Sequence, residues 1–344
     1  MLYGKFIIGF LYVILSIDRR FTMVYFAYLI VATIVIVLSI KISDYVDVLD
    51  KNTKLSGAFL GGIMLSGVTS LPELFTSVSA SALLRHPELC VGNVLGSDLF
   101  NLVALSVIIL LNAKRFAKGR VSKSYRHVSL IVLVIYALLA LNYMGLVDLG
   151  ILHISITSVL IILVYFIGAK YLAIADDVET DEEMIQYQAS KISNGIATES
   201  VLAKFVLTGI ALIAFSIMMT VLTNEISNKL ELTKYWAGAI LLGVATSIPE
   251  VTATLRLFRL RNINIAVGNI IGSNLFNFLI LVVADMVSLH KDVYVTPEFE
   301  VIKLMIAGVV ATVMLYIMLR FKNKKTQVFC SAGIIVTYLG FLFV

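Results

Sequence analysis

Two glutamates, Glu73 and Glu250, stand inside long apolar stretches, each directly after a proline and within a run of hydroxyl-bearing residues. The first run reads Ser66-Gly67-Val68-Thr69-Ser70-Leu71-Pro72-Glu73, and the second Gly243-Val244-Ala245-Thr246-Ser247-Ile248-Pro249-Glu250. An ionised carboxylate at the centre of a bilayer costs about 2.5–3.5 kcal/mol even on insertion-based scales, and two facing each other repel. A divalent cation or two monovalent ones would relieve both costs. Protons would do so too, which keeps proton coupling open as a rival. Pro72 and Pro249 have no N–H for the carbonyl four residues back, so the helix around Val68 and around Ala245 loses regular bonding. Carbonyls freed at membrane depth must find partners or line a wet cavity. Calcium and sodium are hard cations that take several oxygens, and the hydroxyls of Thr69, Ser70, Thr246 and Ser247 lie in the same turn. Two of the chain's four prolines occupy these equivalent places.

A second pair of motifs follows: Gly92-Asn93-Val94-Leu95-Gly96-Ser97-Asp98-Leu99-Phe100-Asn101 and Gly268-Asn269-Ile270-Ile271-Gly272-Ser273-Asn274-Leu275-Phe276-Asn277. They lack the Gly-Lys-Ser/Thr of a phosphate-binding loop, and their small residues suit close helix packing. Ser97 and Asn101 share one helix face, as do Ser273 and Asn277. They are read as ion ligands, against the plainer reading that they only hold helices together. Asp98, whose counterpart is Asn274, points about 100° away from Ser97. It either adds a third negative charge near the site or caps backbone beside it. Asp285 falls near a span end and is read as interfacial.

The elements that carry these residues form an internal repeat. The first motif recurs 177 residues on and the second 176 residues on, with seven of ten positions identical in the second. The chain is 60% hydrophobic and 14% charged over 344 residues, against about 25% charge in soluble domains. Its apolar residues come in blocks long enough to cross a bilayer. Ten spans are expected, at 23–41, 57–84, 88–112, 127–145, 150–174, 201–223, 235–258, 264–287, 301–320 and 326–344. Five spans separate the two copies, and five is odd, so the second half must enter the membrane upside-down. Inverted repeats with broken helices at matching places mark secondary transporters whose site lies at the midplane. The expected fold is an all-α membrane protein of ten transmembrane helices in two inverted five-helix repeats, 23–174 and 201–344. Residues 1–22, with the short apolar run Phe6–Ile17, have no assigned role. Most of the 27 Lys and Arg fall in loops after odd-numbered spans, which places those loops in the cytoplasm. Among them is the 175–200 linker, which opens with Asp176, Asp177, Glu179, Asp181, Glu182 and Glu183. It has no EF-hand spacing and is read as a solvated connection. The basic residues set orientation and do not indicate nucleic acid. Cys90 and Cys330 form no metal spacing.

Thr-Ser-Leu-Pro-Glu and Thr-Ser-Ile-Pro-Glu, each followed by Gly-Asn-x-x-Gly-Ser-x-x-x-Asn, resemble the two α-repeats of the cation/calcium exchanger superfamily, in particular its prokaryotic sodium/calcium exchangers. The resemblance covers nearly the whole chain beyond residue 22. It implies a cell-membrane antiporter that exchanges Ca2+ for Na+ by alternating access, with no cofactor, the ions being cargo. It further implies a calcium site from Glu73, Glu250 and the carbonyls of Thr69 and Thr246. Ser70, Ser97 and the Ser66 carbonyl would flank it on one side. Ser247, Ser273 and the Gly243 carbonyl would flank it on the other, with Asn101 and Asn277 lining the centre. Four positions depart from the family pattern. Val68 and Ala245 stand where glycine is usual, Asn277 where aspartate is often found, and Asp98 where an uncharged residue is usual. The superfamily's proton-coupled branch carries Gly-Asn-Ala-x-Glu in place of Thr-Ser-x-Pro-Glu.

Proton or potassium coupling within the same fold remains the nearest alternative, and a cation channel is the alternative from another class. An intramembrane aspartyl protease would need Gly-x-Gly-Asp, which the chain lacks. A serine protease would need a histidine at depth, and only His153 of the four is a candidate. The chain is therefore expected not to be an enzyme.

Overall fold

A computed structural model describes residues 19–52, 65–147, 150–151, 154–175, 198–288, 293–294, 298–321 and 323–343. The run Phe6–Ile17, the first part of the second span and nearly all of the acidic linker lie outside these residues.

The first half begins with α1 (Arg19–Asn52), whose most apolar stretch is Met23–Tyr45. The next span is in pieces: α2 (Leu65–Thr69), a turn at Ser70, α3 (Leu71–Val78) and a π-helical turn at Ser79–Leu83. Then come α4 (Pro87–Leu111), the short α5 (Ala113–Lys118) and α6 (Ser124–Tyr143). The expected fifth span opens differently from its prediction. Gly150–Ile151 (β1) pairs antiparallel with Ile154–Ser155 (β2), and helix α7 starts only at Ile156, ending at Ala175. Apolar content alone could not separate this hairpin from the helix it precedes.

The second half opens with α8 (Thr198–Lys229), then α9 (Lys234–Ala237), a π-helical turn at Gly238–Leu242, α10 (Gly243–Thr246) and α11 (Ile248–Arg259). It ends with α12 (Ile263–Val287), α13 (Phe299–Arg320) and α14 (Lys324–Phe343). Among the described residues, eight helices are long and apolar enough to cross a membrane. The broken pair Lys234–Thr246 and Ile248–Arg259, bent by 41°, makes a ninth if counted as one span. The chain is thus a multi-pass membrane protein.

Lipid exposure sorts the helices. The most apolar windows of α4 and α12 are 67% and 72% buried, against 28% for α1 and 22% for α8. The Gly-Asn motifs therefore ride on the two central helices. Helices α1 and α8 pack along each other and turn Phe26, Leu29, Leu207 and Ile210 outward. They share a smaller apolar cluster of Val35, Ile42, Leu212 and Met219 with Leu242 and Ala245 of the broken helix. The main core runs through α4, α6, α12, α13 and α14.

Glycine sets the approach of α4 to the broken helix of the second half. A Cβ on Gly92 would lie 2.2 Å from the Tyr235 carbonyl oxygen, and one on Gly238 would lie 2.3 Å from that of Leu89. No side chain fits at either place, and the two backbones touch directly.

Candidate ion-binding site

Each glutamate enters the interior on the first turn of a restarted helix. Proline occupies the opening turn of α3 and of α11, where its missing N–H costs least. The break falls at Ser70 and at Ser247. Ser70 N still reaches the Ser66 carbonyl at 3.1 Å, and Ser247 N reaches that of Gly243 at 3.3 Å, so both serines sit at the corner. The disturbance predicted around Val68 and Ala245 is thus concentrated at the motif serine.

Glu73 and Glu250 are both 0% exposed. Ser70 Oγ donates to Glu250 Oε1 at 2.9 Å, and Ser247 Oγ donates to Glu73 Oε1 at 3.2 Å. Each motif serine thus serves the glutamate of the other half. The second oxygen of each carboxylate, Oε2, is buried and unpartnered. Thr69 Oγ1 donates to the Ser66 carbonyl at 3.1 Å and lies 3.5 Å from Ser273 Oγ across the halves. Thr246 Oγ1 donates to the Leu242 carbonyl at 2.9 Å. Ser97 Oγ donates to the Gly243 carbonyl at 3.2 Å, tying α4 to the second broken helix. Where α4 and α12 pack, Asn101 Nδ2 donates to Asn274 Oδ1 at 3.0 Å and Asn277 Nδ2 donates to Asp98 Oδ1 at 2.9 Å. All thirteen residues singled out from the sequence are described. Eleven take part through their side chains, and Ser66 and Gly243 accept through their carbonyls.

Two residues quoted in the motifs but given no role turn out to hold the glutamates in place. Asn93 Nδ2 donates to the Glu73 carbonyl at 3.3 Å, to Thr76 Oγ1 at 2.9 Å and to Ser77 Oγ at 2.9 Å. Asn269 Nδ2 donates to the Glu250 carbonyl at 3.2 Å and to Thr254 Oγ1 at 3.0 Å. The signal was present in the sequence as an asparagine identical in both copies. Its target was not, because a backbone carbonyl on another helix leaves no mark in the motif. Asp285, two residues from the end of α12, is buried. Its Oδ2 accepts from Ser155 N at 2.9 Å and from Ser158 Oγ at 2.6 Å, pinning the β-hairpin to α12.

An arrangement of two buried carboxylates, surrounded by hydroxyls and amide groups, is suited to a hard cation that wants oxygen donors. The family model described as "Sodium/calcium exchanger protein" matches residues 24–175 and 200–344. The chain belongs to the sodium/calcium exchanger family. Among curated proteins, it is 25% identical over 255 residues to a putative antiporter, CaxA, of Alkalimonas amylolytica, covering 71% of this chain and 77% of that one. It is 25% identical over 227 residues to the inner membrane protein YrbG of Escherichia coli (strain K12), covering 64% of this chain and 66% of the relative. Among solved structures, it superposes on an H+/Ca2+ exchanger, CAX, with a TM-score of 0.64 at 13% identity, over 93% of this chain and 87% of that one. It superposes on the sodium-calcium exchanger NCX_Mj with a TM-score of 0.54 at 19% identity, over 92% of this chain and 98% of that one. At these identities the structural likeness shows a shared exchanger fold.

Proposed function

We propose that this member of the family exchanges Ca2+ for Na+ across the cell membrane by alternating access, its two five-helix halves being inverted relative to each other. The observation that carries the reading is the pair of fully buried carboxylates, Glu73 and Glu250, each bonded through Oε1 to the other half's serine while Oε2 is unpartnered. Two negative charges in a medium of low dielectric need two positive charges, and Ca2+ supplies both in one ion. Emptying the site is favourable only if other cations replace it, which is the physical basis of obligatory exchange. Sodium is the replacement assigned here. The supporting feature is the oxygen-rich surround of Thr69, Ser70, Ser97, Thr246, Ser247 and Ser273, with the carbonyls of Ser66 and Gly243, which offers neutral donors for monovalent ions on both sides of the glutamates. In this reading Asn101 and Asn277 line the centre, and the 175–200 linker lies in the cytoplasm.

The test is radioactive Ca2+ uptake into proteoliposomes loaded with Na+, compared with K+-loaded and pH-jumped vesicles. Uptake is expected only with the outward Na+ gradient and is expected to vanish in Glu73→Gln and in Glu250→Gln. Uptake driven by a pH or K+ gradient would move the coupling to that ion, and Ca2+ flux without any counter-ion would make the chain a channel.

A further inference from the structure

The two helix breaks carry the same polar residues and bond them in two different ways. Thr69 and Thr246 are equivalent in the repeat, as are Ser273 and Ser97, and Asn269 and Asn93. Asn93 and Ser97 stand four residues apart on α4, and Asn269 and Ser273 four apart on α12, so each pair shares one helix face. In the second break, Thr246 Oγ1 donates to the Leu242 carbonyl at 2.9 Å and lies 3.4 Å from Asn93 Oδ1. Ser97 Oγ holds the Gly243 carbonyl at 3.2 Å. In the first break, Thr69 Oγ1 itself holds the equivalent carbonyl, that of Ser66, at 3.1 Å. Its proton is thereby used, so Ser273 Oγ is the donor in their 3.5 Å contact. Asn269 Oδ1, the counterpart of the Asn93 oxygen beside Thr246, is buried and unpartnered.

One threonine thus bonds the carbonyl three residues back and faces a serine, and the other bonds the carbonyl four residues back and faces an asparagine. These are the two settings open to any helical threonine, whose hydroxyl reaches either carbonyl by a turn about one bond. The side chains involved are identical in the two breaks and the acceptors are backbone, so residue type does not assign either setting to either half. The first setting leaves an amide oxygen buried without a donor, which is costly, and only one half carries that cost.

We propose that Thr69 and Thr246 are paired positioning residues whose hydroxyls trade these settings when the site turns from one face of the membrane to the other. In the reversed arrangement Thr69 turns to the Leu65 carbonyl and to Asn269 Oδ1, and Ser273 takes the Ser66 carbonyl. Thr246 turns to the Gly243 carbonyl, displacing Ser97, and Asn93 Oδ1 loses its partner. Handing each half the other's bonds turns the arrangement over in the membrane, because the halves are inverted in the reading above. The inference rests on that reading and goes beyond it by naming the groups that change partner. Bonds broken in one half are remade in the other, so the two facings stay close in energy and bound ions can decide between them.

The test compares half-saturating Ca2+ concentrations measured from the two faces of oriented vesicles. Thr69→Val and Thr246→Val keep the side-chain shape and remove the hydroxyl. Each is expected to shift the ratio of the two concentrations by roughly 3- to 10-fold, the span of one neutral hydrogen bond, and the two variants in opposite directions. Thr69→Ser and Thr246→Ser keep the hydroxyl and are expected to keep the parent ratio, and the double valine variant to return towards it. Shifts in the same direction, or an unchanged ratio, would overturn the proposal, since general damage does not distinguish the faces. Hydrogen exchange on the purified full-length variants reads the same switch without transport. In Thr246→Val the segments Leu65–Val78 and Gly243–Arg259 are expected to change protection in opposite senses, and in Thr69→Val in the reverse pattern. Protection lost from both segments together would equally overturn it. An absence of Na+-driven Ca2+ flux in the unmodified chain would count against the exchange reading, and hydrogen exchange would then judge the switch by itself.

Discussion

Ser70 Oγ donates to Glu250 Oε1 at 2.9 Å across the two halves of the chain, and Ser247 returns the contact to Glu73 at 3.2 Å. The carboxylates are thereby aimed by residues from opposite halves, so a rigid shift of one half against the other disturbs both at once. A hydrogen bond to a charged group contributes about 1.5–3 kcal/mol. Ser70→Ala and Ser247→Ala are each expected to weaken the apparent Ca2+ affinity by roughly 10-fold or more, at about 1.4 kcal/mol per factor of ten, while Ser70→Thr keeps much of it. Equilibrium Ca2+ binding to purified protein measures this; wild-type affinity in both alanine variants would dismiss the crossed contacts as incidental.

Pro72 and Pro249 open the restarted helices α3 and α11. Pro72→Ala and Pro249→Ala restore an N–H able to reach the carbonyls of Val68 and Ala245, which favours a continuous helix. Each variant is expected to be at least as heat-stable as the parent and to transport poorly, a pairing that a merely damaged protein would not show. Scanning fluorimetry beside vesicle uptake reads both.

Asn93 and Asn269 bind the backbone behind each glutamate. Alanine at either position leaves a buried carbonyl and hydroxyl without their donor, at about 1–3 kcal/mol each. Both variants are expected to lose thermal stability and Ca2+ affinity together. Unchanged stability in Asn269→Ala would show that water replaces the amide.

Gly92 and Gly238 sit where a Cβ would come within 2.2 Å and 2.3 Å of the opposing backbone. Gly92→Ala and Gly238→Ala are expected to reduce folded yield sharply. Gly209→Ala, whose added methyl would meet no atom within 4 Å, serves as the control and is expected to fold normally. Monodisperse yield on size exclusion separates them.

The central helices were legible almost to the residue. Spans expected at 88–112 and 264–287 are helices at Pro87–Leu111 and Ile263–Val287, because long apolar runs at membrane depth have little choice but to close their own hydrogen bonds. The glutamates and their prolines were legible as well, since charge and a helix breaker inside such runs need a reason. What the sequence left out is set by contacts between distant segments. The β-hairpin before α7 depends on Asp285, 130 residues away from Ser155. The crossed serine contacts depend on how the two repeats face each other, and a motif read along one strand of chain is silent on its partner. The π-helical turns at Ser79–Leu83 and Gly238–Leu242 went unseen for the same reason. One extra residue per turn leaves no signature in composition.

The crossed contacts also bear on how the chain is made. Ser247 follows Glu73 by 174 residues, so the first half enters the bilayer well before its carboxylate can meet its donor. During that interval Glu73 has either to stay near water or to remain uncharged, at the cost that any lone acid meets in lipid. Only arrival of the second broken helix relieves it. Burial of the acid is therefore coupled to docking of the halves: a nascent chain whose halves have not met still bears an unmatched acid within the bilayer.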